Sequence, residues 1–125
     1  MPVQDEVYLG NPLLKKANVQ QEFTQEQILE FYACKNDPVY FAKQHVKIVS
    51  LDEGLVPFKP YDFQEQLIRN FHENRFNICK MPRQTGKSTT SVSYLLHYAV
   101  FNDNVNIGIL ANKAATARDL LGRLQ

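Results

Sequence analysis

The chain has 125 residues, 44% of them hydrophobic and 22% charged. That is the size and composition of about one folded domain, which excludes a disordered chain, and no apolar run approaches the roughly 18 to 20 residues of a membrane span. Fourteen basic and thirteen acidic residues leave a net charge of +1, so bulk charge draws no polyanion and any such site must be local.

Residues 1–21 lack sustained periodicity and contain the turn pair Asn11-Pro12, so 1–23 reads as an extended arm. Met1 to Glu6 has neither the basic head nor the apolar centre of a secretory signal. Thr24 with Gln27 forms a capping-box pattern opening a helix over about 25–35, with Ile28, Leu29 and Tyr32 on one face. Asp37-Pro38 is a second helix start, aspartate at the cap and proline at the first helical position. Val39, Ala42 and Val46 carry that helix's stripe. Two β-like runs, 47–51 and 55–58, flank Asp52-Glu53-Gly54 and predict a hairpin, its second strand demoted to an edge by Pro57 and Pro60. Residues 24–59 therefore read as a helical lead-in with a β-hairpin.

From residue 61 to 74 the period is helical, with Phe63, Leu67, Ile68 and Phe71 on one face. A strand at 76–81, a loop at 82–87 and a helix at 88–101 follow, with Val92, Leu95, Leu96 and Ala99 facing inward. After the turn Asn102-Asp103-Asn104 come a buried strand at 105–111 and a helix at 114–124, with Ala117, Leu120, Leu121 and Leu124 on one side. This βαβα order predicts an α/β fold with a parallel sheet and right-handed crossovers.

Met81-Pro82-Arg83-Gln84-Thr85-Gly86-Lys87-Ser88 lies between the first of those strands and its helix. It matches the phosphate-loop pattern G-x-x-x-x-G-K-[ST] at every fixed position except the first, where Met81 stands for glycine. Amides of such a loop and of the helix start converge on one spot and favour phosphate oxygens. Gly86 lets the backbone approach closely. Lys87 supplies a full charge, and the Ser88 hydroxyl is a suitable Mg²⁺ ligand. Arg83 is either a solvated cation or a group that reaches the γ-phosphate.

The run Pro82 to Thr89 resembles the deviant Walker A loop of the large terminase subunit, the DNA-packaging ATPase of tailed bacteriophages. Residues 9–19 with Phe23-Thr24, residues 37–42, the segment Pro60-Tyr61-Asp62-Phe63-Gln64 and residues 108–113 are similar to T-even-like members in the same order, and the pattern tolerates Met81. The resemblance implies a partial P-loop NTPase fold of the RecA-like class over 60–125, with ATP and Mg²⁺ as cofactors. It implies Gln64 at the adenine edge and Phe63 near the base. Arg83, Gln84, Thr85, Gly86, Lys87 and Ser88 would lie around the phosphates, with Arg83 and Lys87 in catalytic roles and Ser88 on the metal. A glutamine carboxamide does match adenine's donor and acceptor pair. For the whole motor it implies viral double-stranded DNA, a small terminase subunit and the portal as partners. It also implies a homo-oligomeric ring and a place in the cytoplasm of the infected host, transiently on the prohead.

An acidic strand end following the loop is missing. Ile48-Val49-Ser50-Leu51-Asp52-Glu53 superficially fits, but it precedes the loop and Gly54 marks it as a turn. No acidic cluster suits two-metal nuclease chemistry. The chain thus reads as the nucleotide-gripping part of a larger protein. A fragment of another helicase-like DNA translocase and a non-catalytic ATP-binding remnant are the alternatives. Lys113, Arg118 and Arg123 read as a solvated helix face or as DNA-backbone contacts. Cys34 and Cys79 lack CxxC or Cys/His ligand spacing, which points away from a disulfide framework or structural zinc and toward a reducing compartment. His45, His72 and His97 read as ordinary, and Cys79 as buried.

Overall fold

The computed structural model describes residues 7–124. The reading of residues 1–6 lies outside them. Within the described part of the expected arm lies a small hairpin, β1 (Val7–Tyr8) against β2 (Asn11–Lys15). The reversal falls on Leu9 and Gly10, at φ 51° and 75°, because glycine takes the left-handed region without a Cβ penalty. Asn11 instead turns its side chain onto the Leu13 amide at 2.9 Å.

Helix α1 (Gln25–Asn36) opens on the expected reciprocal box: the Thr24 amide donates to Gln27 Oε1 at 3.0 Å, and the Gln27 amide to Thr24 Oγ1 at 3.3 Å. Asp37 ends α1 and starts α2 (Pro38–His45), its Oδ1 accepting from the amides of Val39 and Tyr40. Two orphan helix donors are satisfied by one carboxylate, which also favours the positive helix end. The second hairpin, β3 (Lys47–Ser50) with β4 (Gly54–Pro57), closes in register through Gly54 at φ 74°. Then follow α3 (Asp62–Glu73), α4 (Lys87–Phe101) and α5 (Ala114–Gly122).

Helix α2 is the hub. Val39, Phe41 and Ala42 are buried with Cys34 of α1, Ile68 of α3, and Val46 and Phe58 at the ends of the second hairpin. Helix α4 meets this core through Thr90, Ser93 and His97, and the His97 Nε2 lies 2.9 Å from the Cys34 carbonyl. The expected inward face is corrected only in part, since α4 also packs Tyr94, Leu96 and Phe101 against this core as partly buried residues. Its more apolar side, including Val92 and Leu96, lines a cavity of about 660 Å³ with Ile48 and Leu55, while Ala99 is exposed. The α1 face is also corrected. Ile28, Leu29 and Tyr32 stand in solvent and Cys34 is the buried position.

The largest correction concerns the sheet. The described residues form two separate two-stranded antiparallel sheets and no parallel pair, so the RecA-like parallel architecture is not formed. Segments 76–81 and 105–111 are irregular and unpaired, and Phe76, Ile78 and Leu110 are 83%, 101% and 97% exposed. Cys79 is exposed as well, not buried. An apolar run is only strand-competent. It becomes a strand when another lies about 4.8 Å away to take its amides and carbonyls. The hairpins find that neighbour across a short turn, whereas a parallel partner has to be delivered through a crossover, and α4 does not deliver one here. No helix among the described residues is long and apolar enough to cross a membrane.

Candidate functional site

The loop between α3 and α4 is built by three local devices. Gly86 is the N-cap residue of α4 in left-handed conformation, φ 72° and ψ 21°. Gln84, two residues earlier, is also left-handed at φ 60°. The loop is then tied across itself: Thr85 Oγ1 donates to the Pro82 carbonyl at 3.0 Å, and Lys87 Nζ folds back to the Met81 carbonyl at 3.4 Å. At the helix end, the Gly86 carbonyl accepts from both the amide and the hydroxyl of Thr90, at 2.9 and 2.8 Å.

Helix α3 holds the loop from behind. The Gln64 side chain is 4% exposed. Its Oε1 accepts from the Tyr61 amide at 2.9 Å and its Nε2 donates to the Thr85 carbonyl at 3.1 Å. A Cβ at Gly86 would fall 2.5 Å from that Nε2. Glycine is thus required twice, by its backbone angle and by the space the carboxamide occupies.

These restraints leave a run of donors. Among the described residues, Arg83 and Gln84 form a turn, the amides from Gly86 to Thr89 find no backbone acceptor, and the Thr90 amide is the first in α4 bonded to a carbonyl. Unsatisfied amides at a helix start carry roughly half a positive charge between them. The exposed Lys87 ammonium adds a whole one beside them. Ser88, half-buried, occupies the second helical position. Arg83 is exposed and makes no ion pair among the described residues. The arrangement suits an anion with several oxygens, and the Ser88 hydroxyl is a side-chain oxygen suited to a hard cation next to it.

The structure therefore brings Gln64, Thr85, Gly86, Lys87 and Ser88 together, with Arg83 and Gln84 on the solvent side. It places Gln64 as a buried strut whose amide is spent on Tyr61 and Thr85. Phe63 is 46% exposed and stacks on Tyr61, with centroids 5.8 Å apart and planes 13° apart. Sequence reasoning missed Thr90, and it named Tyr61 only as part of the segment 60–64, not as a partner of Gln64. The run Ser88-Thr89-Thr90 was the available signal, since a threonine hydroxyl early in a helix bonds the carbonyl four residues back. Asp52 and Glu53 lie in the β3–β4 turn, and Arg123 pairs with Asp119 at 3.1 Å. No protein-family model matches the chain.

Proposed function

We propose that the chain binds ATP with Mg²⁺ at the loop 81–88 and serves as the nucleotide-gripping part of a terminase-type DNA-packaging motor. One observation carries the reading: a left-handed Gly86 at the head of α4 presents a run of amides without acceptors beside the Lys87 ammonium. Bound Mg²⁺ would supply charge neutralisation at the phosphate oxygens. The chain's own contribution is positional. Amides of residues 86–88 hold the phosphates, Lys87 compensates their charge and Ser88 offers the metal an oxygen. Gln64 keeps the Thr85–Gly86 peptide in the conformation that aims these donors. Arg83, exposed on the loop, is free to approach the terminal phosphate. The order of the motifs along the chain, with the Tyr61–Gln64 segment ahead of the loop, supports a terminase over a generic anion site.

The test is calorimetric titration of ATP–Mg²⁺ into the parent and into Lys87→Ala. Lys87 is exposed, so the variant keeps the parent's circular dichroism and loses at least about tenfold in affinity, the effect of removing a charge-assisted contact worth roughly 1.5–3 kcal/mol. Equal affinity in the two proteins refutes the reading.

A further inference from the structure

A second constellation lies at the corner where α1 turns into α2, and it shares no residue with the loop. The Cys34 thiol donates to Glu30 Oε1 at 3.7 Å, and His45 Nε2 lies 3.0 Å from that same oxygen. All three ligand atoms fall within 4.8 Å of one another. The geometry points to a transition-metal site, with zinc as the natural occupant, held by Glu30, Cys34 and His45 at the α1–α2 corner.

Three arguments converge. The first is spacing. A tetrahedral zinc with bonds of about 2.3 Å to sulfur and about 2.0 Å to nitrogen and oxygen has edges of about 3.3 to 3.5 Å. The sulfur–oxygen and nitrogen–oxygen separations of 3.7 and 3.0 Å bracket that range. The second is donor chemistry. One thiolate, one imidazole and one carboxylate match the borderline softness of zinc and exclude magnesium or calcium as the preferred ion. The third is the supporting shell. Tyr40 donates to the other carboxylate oxygen, Glu30 Oε2, at 2.9 Å, orienting the ligand as outer-shell partners of metal carboxylates do. The Cys34 carbonyl is in turn tied to His97 of α4 at 2.9 Å.

Burial also favours a held ion. Cys34 is 3% exposed, while the Glu30 and His45 side chains are 42% and 47% exposed. The inner ligand is anchored in the core, and the outer two leave solvent access for entry and for a water at the fourth position. On binding, the metal–sulfur bond replaces the S–H bond and the thiol proton leaves to solvent. The two contacts now converging on Glu30 Oε1 become bonds to the ion. Sequence spacing concealed the site, because Glu30 and His45 are fifteen residues apart and only the Asp37-Pro38 corner brings them together.

The test is a Co²⁺ titration of the full chain carrying Cys79→Ser, which removes the exposed thiol and leaves the buried one. The expected result is a thiolate-to-cobalt charge-transfer absorption that saturates at one equivalent and is bleached by Zn²⁺. It disappears when Cys34→Ser is added. Affinity falls by about tenfold or more in His45→Gln and by several-fold in Tyr40→Phe, as for other ligand and outer-shell changes. His45 is on the surface, so its variant keeps the test decisive where Cys34→Ser fails to fold. Absence of the absorption in the Cys79→Ser chain, its persistence after Cys34→Ser, or undiminished affinity in His45→Gln each overturns the proposal. ATP affinity does not enter any of these readouts, so the two sites stand or fall separately.

Discussion

The carboxamide of Gln64 and the α-carbon of Gly86 occupy adjoining space so closely that one additional carbon on Gly86 would lie 2.5 Å from Gln64 Nε2. Helix α3 and the head of α4 are therefore fitted to each other through one side chain and the lack of another. Anion-binding loops depend on amides held in place before the ligand arrives, and this contact is the device that holds them.

Gly86→Ala tests the fit. Alanine at φ 72° is strained by about 1–2 kcal/mol, and the new methyl displaces the buried Gln64 from its two hydrogen bonds. We expect a drop of at least about 2 kcal/mol in urea-unfolding stability, within the range for strain plus lost buried bonds. ATP–Mg²⁺ affinity falls in the same variant. Adding Gln64→Ala recovers part of the loss by removing the clash, so the two substitutions are less than additive by about 0.5–3 kcal/mol. Strict additivity contradicts the contact.

Gln64→Glu distinguishes a strut from a group waiting for a base. The glutamate still accepts from the Tyr61 amide but sets an oxygen against the Thr85 carbonyl, where the amide donated. Stability at neutral pH falls by about 1–3 kcal/mol, the cost of an unsatisfied buried polar group. The deficit shrinks on acidification, because the protonated acid can donate to Thr85 again. A stability equal to the parent's at neutral pH would show that the carboxamide is not structural.

Ser93→Ala is expected to stabilise. Ser93 is 2% exposed, and its hydroxyl has no hydrogen-bond partner among the described residues. Removing an unsatisfied buried hydroxyl relieves a desolvation cost of about 1–3 kcal/mol, and alanine is the better helix former by about 0.5 kcal/mol. An increase of about 1 kcal/mol in unfolding free energy is expected, and a loss of similar size would mean that the hydroxyl is partnered.

His97 makes the fold acid-sensitive. Burial pushes its imidazole below the ordinary histidine range, aided by His72; the bonded Cys34 carbonyl opposes the shift. The unfolded chain then binds a proton that the folded chain refuses, so stability falls as pH drops below about 6.5. It levels off once the folded form also takes up the proton. His97→Gln retains a donor for the Cys34 carbonyl and lacks the titration. Its urea midpoint should vary less than the parent's between about pH 5 and 7. Parallel profiles for the two proteins would remove His97 as the source.

Much of the local structure was legible from neighbouring residues. Thr24 with Gln27, Asp37 with Pro38, and Gly54 at the hairpin each act within a few residues. The helix start at Gly86-Lys87-Ser88 was visible for the same reason. The Gln64 strut was harder to see. It spans twenty-one residues, and an amide capable of reading adenine is equally capable of holding a carbonyl. Phe63 fitted an apolar periodicity, yet the helix turns it outward against Tyr61.

Taken alone, the order of residues decided where helices begin, where the chain reverses, and that a phosphate-loop pattern heads α4, because short-range hydrogen bonds and φ preferences settle these matters. Tertiary structure alone decided that 76–81 and 105–111 stay unpaired, that Thr90, Ser93 and His97 are the fully buried positions of α4 while Tyr94, Leu96 and Phe101 only partly pack on the core, and that Glu30, Cys34 and His45 converge. Periodicity reveals that a segment has a face or an unpaired edge. What meets that face depends on which other surfaces the chain brings within contact distance, and that is a property of the folded whole.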